Sequence, residues 1–232
     1  MRSFLQDSDL LWPCQSLPSP ESNVGGTSLV FGGGGTLATI TTQAGRLCTQ
    51  VHGNTSGDNG LVALPTNTST LPQGAGDFLL ALSIKISLYW IDLGNGGYTS
   101  FVRRLQTKVG ESTTAVGDSI QLNGNNTNNG QWYMGLATSG TVANYVNSGA
   151  DHVTANTWTC LGFSWDGTNV RLYRDGALKV GPTSLNPGTP IDYHSDGPWH
   201  IGGHPTGGNL NGYMQNASVS RDVQPASWFV LS

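Results

Sequence analysis

Two glutamates, Glu21 and Glu111, are all that the chain has, and they lie far apart in sequence, one in a proline-rich stretch and one in a polar loop-like stretch. Hydrolysis of a glycosidic bond usually needs two carboxylates facing each other, one as acid and one as base or nucleophile. The best remaining acid–base constellation is Asp192-Tyr193-His194-Ser195-Asp196. On a strand, Asp192, His194 and Asp196 would share one face, close enough for a metal or a proton relay. Pro190, Ser195, Gly197 and Pro198 crowd the segment and make a turn-rich loop the expected structure. His200 and His204 stand four apart, the spacing of a zinc pair on a helix. The intervening Ile201-Gly202-Gly203 and the following Pro205 oppose a helix, so His200 is expected on a strand and His204 at the start of a loop. No H-E-x-x-H, G-x-S-x-G, G-x-G-x-x-G or Walker string occurs. Catalysis is therefore not expected.

Seven tryptophans and seven tyrosines offer a different chemistry, stacking against a ligand. Trp132, Tyr133, Tyr193 and Trp199 lie nearest to loop-like stretches and, with His194 and His200, form the expected glycan- or partner-binding set. Trp165 and Tyr173 are assigned to the core. Cys14, Cys48 and Cys160 are odd in number and widely spaced, a pattern of buried or idle thiols and not of a disulfide framework or a zinc site.

These residues must be positioned by strands. Gly at 33 of 232 residues, with many Asn, Thr and Ser and few Lys or Glu, favours short strands and tight connections over helices. Charged residues are 10% of the chain while 37% is hydrophobic, enough for a core. A net charge of -4 offers no basic stripe for a nucleic-acid backbone, so no nucleic-acid partner is expected. No stretch approaches the roughly 20 apolar residues of a membrane helix, and no membrane association is expected.

Residues 1–24, with Pro13, Pro18 and Pro20, read as an extended N-terminal arm with a short helical turn around Phe4 to Leu11. Residues 25–232 read as one domain. Leu29 and Phe31, then Leu37, Thr39 and Thr41, sit at strand spacing on either side of four glycines. Gly53 to Gly76 is polar and loop-like. The following run, FLLALSIKISLYWIDL, reads as a strand covered on both faces, although periodicity leaves a buried helix open. Further strands are expected at Thr99–Leu105, Ser119–Leu122, Gln131–Ala137 and Thr141–Tyr145, between GNGG, NGNNTNNG and SG turns. From Asn156 onward, Leu161, Phe163 and Trp165 alternate towards one face, Asp166-Gly167 turns, Val170, Leu172 and Tyr173 return, and Asp175-Gly176 turns again.

That order, continued by the strands at WHIGG and NGYMQ, resembles the laminin-G-like and concanavalin-A-like jelly rolls, firmly over about 156–220 and loosely over Ser28 to Ser87. The resemblance implies an all-β fold, a two-sheet antiparallel jelly-roll sandwich preceded by the arm. It does not choose an activity, because lectins, adhesion domains, glucanases, lyases and viral coat proteins share this fold. The glucanases of the fold carry an E-x-D-x-x-E string that is missing here. The Arg-Glu-Arg and Gln-x-His strands of alginate-lyase relatives are missing too. No cofactor is expected; the alternative is a rim calcium, which relatives of this fold often hold and for which Asp92, Asp151, Asp166 and Asn169 would be the candidates, beside the plain reading of D-G turn chemistry for Asp166.

The expectation drawn from these features is a non-enzymatic structural or binding protein, foremost a phage virion component such as a capsid decoration or fibre-associated jelly roll. Its arm would grip other capsid subunits, a location reached without a secretory leader. The alternative is an extracellular carbohydrate-binding or adhesion module, and a polysaccharide-degrading enzyme stands third. Exposed sheet edges lead us to expect a homo-oligomer.

Overall fold

In a computed structural model, the residues described are 10–12, 30–32, 39–51, 61–63, 81–91, 106–108, 120–124, 130–138, 142–185, 199–202, 210–220 and 222–231. They form β1 (Leu10–Trp12), β2 (Val30–Gly32), β3 (Thr39–Gln43), β4 (Arg46–Val51), β5 (Leu61–Ala63), β6 (Leu82–Trp90), β7 (Gln106–Lys108) and β8 (Ile120–Gly124). Then follow β9 (Gln131–Thr138), β10 (Val142–His152), β11 (Trp158–Trp165), β12 (Asn169–Arg174), β13 (Ala177–Ser184), β14 (Trp199–Ile201) and β15 (Gly212–Ser220). Among the described residues one 3-10 turn spans Ala226–Trp228. Among the described residues no helix is long and apolar enough to cross a membrane.

Among the described residues all pairings are antiparallel and fall into two sheets. The back sheet runs β13-β12-β11-β6-β15-β4-β3, with β1 also on β15, and the front sheet runs β10-β9-β8-β7-β14-β5-β2. Strands adjacent in the sheets are often distant in sequence, as β6 and β15 are, which is the winding of a jelly roll. Within the long apolar run, β6 is a central strand, paired by β11 on one side and β15 on the other, which removes the helical alternative for Leu82–Trp90.

Alternation along β6 sends Leu82, Ile84, Ile86 and Leu88 towards the front sheet, where they pack with Leu161, Phe163 and Trp165 of β11 and with Leu122, Trp132, Met134 and Val146. Burying each such side chain stabilises the sandwich by about 1.5–3 kcal/mol. The meander beginning at Trp158 is as its spacing predicts, with Phe163 opposite Leu172 and Trp165 opposite Val170. Asp175 and Gly176 both have positive φ, 51° and 78°, the geometry of a two-residue type I′ hairpin. The Asp175 carboxylate accepts the Cys160 N–H at 2.7 Å and the Thr159 hydroxyl at 2.9 Å, fastening the turn to β11.

The other residues of β6 and β11 face away from this core, yet Ser83, Lys85, Ser87, Cys160 and Ser164 are buried. The segment after β15 roofs part of that face, where Phe229 stacks on Tyr173 at 4.2 Å and 9° and Trp228 stands edge-on to Phe229. Tyr173 is thus buried as expected, but in this second cluster and not between the sheets. Cys48 and Cys160 are buried free thiols, and burial pushes Cys160 up to about 12. Cys14 lies outside the described residues.

Three expectations need correction. Leu10 and Leu11, expected in a helical turn of the arm, are in β1 and pair with Val219 and Ser218, because β15 offers an open edge beyond the end of β4. The polar stretch Gly53 to Gly76 contains β5, too short to leave an alternation pattern. The strand expected at Thr141–Tyr145 continues to His152 through an irregularity after Asn147. The strand expected over Thr99–Leu105 lies outside the described residues.

Candidate functional site

The pleat divides each front-sheet strand between the core and the outside. Trp132 and Met134 of β9 point inward, so Gln131, Tyr133 and Gly135 belong to the outward face. Hydrogen-bond register carries that face across all seven strands in one row: Tyr145, Gly135, Gln121, Thr107, His200, Ala63 and Val30. A neighbouring row joins Asn147, Tyr133 and Asn123. Tyr145 is 57% exposed, and its strand partner Gly135 has no side chain to support it. Its ring leans diagonally to Tyr133, edge to face, with centroids 5.4 Å apart and planes at 77°. The outcome is an aromatic pair, Tyr145 exposed and Tyr133 partly so, with Asn147 exposed beside it. Such a pair offers rigid apolar ring faces to solvent.

Beyond this pair the strand leaves the sheet in an ordered bend. The Asn147 carboxamide oxygen accepts the Gly149 N–H at 2.9 Å, and the Gln131 side chain donates to the Gly149 carbonyl at 2.7 Å. Behind the bend, Asp151 accepts from the Trp132 indole N–H at 3.3 Å and pairs with Arg174 at 2.9 Å and Lys179 at 3.7 Å. Arg174 also donates to the His152 carbonyl. This cluster ties β10 of the front sheet to β12 and β13 of the back sheet.

The expected binding set separates accordingly. Trp132 is a correction: it is fully buried in the core, where no ligand can stack on it. Tyr133 lies on the outward face, partly exposed. For Trp199 and His200 backbone pairing is described: His200 falls on the row of Tyr145, whereas Trp199 pairs with Lys108 on the alternate row. The two therefore occupy opposite faces. Tyr193 and His194 lie outside the described residues, with the rest of the Asp192–Asp196 segment and His204. Tyr145, absent from the expected set, is the most exposed of the large hydrophobic side chains among the described residues. Its signal was available in the hairpin spacing that brings β10 back beside Tyr133.

The calcium candidates do not form one site. Asp166 caps its own turn, accepting the N–H groups of Thr168 and Asn169 at 3.1 and 2.7 Å and pairing with Arg171 at 2.7 Å. Burial pushes its carboxyl up, but the hydrogen bonds from Arg171, Asn169 and Thr168 outweigh that and hold it below the ordinary range. Asp151 is committed to Arg174 and Trp132 near the other end of β12. With strands rising roughly 3.3 Å per residue, the length of β12 keeps these carboxylates too far apart to share an ion. Asp92 lies outside the described residues. Among the described residues no three His, Cys, Asp or Glu side chains are placed to hold a metal, so those present do not fit a rim calcium.

A two-sheet antiparallel jelly roll is shared by binding domains and enzymes alike, so the architecture defines a class of fold and not an activity. The profile of the Concanavalin A-like lectin/glucanases superfamily matches residues 87–227, and the chain belongs to that family. Among solved structures it is similar to domain 4 of AbnA, an extracellular GH43 arabinanase from Geobacillus stearothermophilus determined with arabinotriose, at 11% identity, TM-score 0.65 and 96% coverage of both chains. It is also similar to the Trypanosoma rangeli sialidase, at 12% identity and TM-score 0.60, covering 95% of this chain but 31% of that one. A third is the Ruminococcus gnavus IT-sialidase CBM40 bound to α2,3-sialyllactose, at 15% identity and TM-score 0.52, covering 66% of this chain and 84% of that one. At these identities the likeness shows the fold alone. A search of curated proteins gives no match.

Proposed function

We propose that this chain is a carbohydrate-binding module and that saccharide sits on the outward face of the front sheet, around Tyr133 and Tyr145. The observation that carries this reading is the edge-to-face pair at 5.4 Å, with Tyr145 exposed opposite Gly135 and the exposed Asn147 opposite Tyr133. A sugar ring presents an apolar C–H face and a rim of hydroxyls. An aromatic platform with neighbouring amides matches both, with little rotamer entropy to lose on the tyrosines. Two similar structures hold saccharides, arabinotriose in the arabinanase domain and α2,3-sialyllactose in the CBM40, which supports the ligand class.

In this reading the chain is non-enzymatic, residues 25–232 are the binding domain, and it works outside the cell, where polysaccharide is met. A capsid-decoration role, expected from the N-terminal arm together with the missing leader and catalytic residues, is the second reading. Part of that arm, Leu10–Trp12, pairs with the domain's own β15, and no specific observation favours capsid partners or self-association over glycan. Titration calorimetry against arabinotriose and α2,3-sialyllactose, preceded by a glycan array, tests the reading. Binding that Tyr145→Ala weakens about tenfold, roughly 1.4 kcal/mol, supports it. A blank array, or binding indifferent to Tyr145→Ala, removes it.

A further inference from the structure

The back sheet carries its own outward row. Thr39 pairs with Gln50, Gln50 with Tyr213, Tyr213 with Tyr89 and Tyr89 with Trp158, one residue from each of β3, β4, β15, β6 and β11. Three aromatics therefore stand side by side on adjacent strands. Tyr89 meets Trp158 edge-on at 5.8 Å and Tyr213 edge-on at 5.7 Å. All three are partly exposed, as is Gln50, and Thr39 is exposed. The row crosses four strand spacings of roughly 4.8 Å each, a length on the order of 20 Å.

The rest of this face is finished differently. Towards Ser83 and Lys85, Trp228 and Phe229 cover it and are buried in doing so. Beside the row, the tip of the β3–β4 hairpin bends across the sheet. The Trp158 indole donates to the Gln43 carbonyl at 3.0 Å, the Arg46 guanidinium lies 5.7 Å from the Trp158 ring centre, and Arg46 donates to the Gln215 side chain at 2.9 Å. The hairpin thus makes a wall at the Trp158 end and holds that ring in place. The row itself is crossed by no described segment that buries Tyr89, Tyr213 or Gln50.

We infer that this row is a second saccharide-contacting surface, on the sheet opposite Tyr145, taking an extended neutral oligosaccharide laid across the strands. Each strand contributes one contact at a spacing close to the size of one sugar ring. The tyrosine hydroxyls and the side chains of Gln50 and Thr39 supply polar partners along the same line. An extended peptide is disfavoured, because β4, β15 and β6 are paired on both sides along the row and offer no backbone edge for it to join. The inference borrows its ligand class from the proposed function but rests on different residues. Two surfaces on opposite sheets would let one module bridge two chains of a polysaccharide.

The test uses the full chain with cellohexaose and with arabinohexaose as probes, followed by NMR of backbone amides and indole N–H groups. Shifts at Tyr89, Tyr213 and the Trp158 indole with at least one probe, suppressed by Tyr213→Ala and unaffected by Tyr145→Ala, are expected. Tyr213→Ala should weaken this binding about tenfold, and Tyr213→Phe should retain most of it. Shifts confined to the Tyr133–Tyr145 face would overturn the second surface while leaving the proposed function standing. Shifts confined to the Tyr89 row would do the reverse. Absence of shifts at the row with both probes at millimolar concentration, or shifts there only with an unstructured peptide control, also overturns it. If Tyr213→Ala unfolds the domain, Gln50→Ala, at the margin of the row, replaces it and must weaken the same shifts.

Discussion

The Lys85 ammonium donates to the Trp228 carbonyl at 2.6 Å and lies 4.6 Å from the centre of that same residue's ring. One buried cation from the centre of β6 thereby anchors the segment that roofs the back sheet. Burial pushes Lys85 down to about 8 from 10.5, opposed only in part by the nearby Cys160. The unfolded chain therefore binds more protons than the folded one between these values, and stability rises as pH climbs through this window. The gain reaches on the order of 3 kcal/mol at the top of the window. Denaturant unfolding of the wild type and of Lys85→Met across pH 8 to 10.5 should show the wild type gaining relative to the variant. Parallel curves would show that Lys85 titrates alike in both states.

Gly162 lies beneath this roof because nothing larger fits. A Cβ there would stand 2.4 Å from the Ile84 carbonyl oxygen and 2.5 Å from the Phe229 ring. Gly162→Ala should cost about 1–3 kcal/mol by overpacking, and Phe229→Ala about 3–5 kcal/mol by leaving a cavity on Tyr173. Because both act on one contact, the double variant should lose less than the sum of the two. Strict additivity in thermal unfolding would mean that the two residues do not share that contact.

Adjacent residues of β9 separate stability from binding. Trp132→Phe keeps an apolar ring but deletes the indole hydrogen bond to Asp151, and should lower stability by about 1–3 kcal/mol with saccharide affinity little changed. Tyr145→Ala, at an exposed position, should leave Tm within a degree or two and reduce affinity, since surface substitutions usually fall within about 0.5 kcal/mol. Calorimetry and thermal melts on both variants check the pattern, which would be refuted if the two exchanged roles.

Asp151 joins the sheets through Arg174, Lys179 and Trp132. Removing it as Asp151→Ala leaves two cations facing each other, a loss of about 2 kcal/mol. Because its carboxylate is already partnered, a chelator should leave Tm unchanged, and added calcium should not raise it. A Tm that falls with chelator and recovers with calcium would require a metal site outside the described residues.

At the opposite end of β12, Asp166 is held below the ordinary carboxylate range, so the stability it lends is present at neutral pH and is lost as pH falls through its depressed value. Acid unfolding of Asp166→Asn should begin from a less stable protein and show a shallower loss below about pH 4. An unchanged acid profile would mean that the pairing with Arg171 is no stronger than hydration.

The repeating strand–turn pattern after Asn156 was legible because alternation and D-G turns are local: Leu161, Phe163 and Trp165 had to share a face, and Asp175-Gly176 had to reverse the chain. The absence of an E-x-D-x-x-E string was equally plain, and so was the sandwich. Which face of each strand met the core was not legible for short or uniformly aromatic strands. Trp132 and Tyr133 look alike as candidates, yet one residue of register sends them to opposite sides, and the same step separates Trp199 from His200. The aromatic pair at Tyr133 and Tyr145, the row from Thr39 to Trp158 and the pairing of Leu10–Trp12 with β15 all join residues brought together by strand pairing and not by spacing along the chain. Local patterns decide strands and turns, whereas long-range register decides neighbours, since it is set by packing the two sheets against one common core.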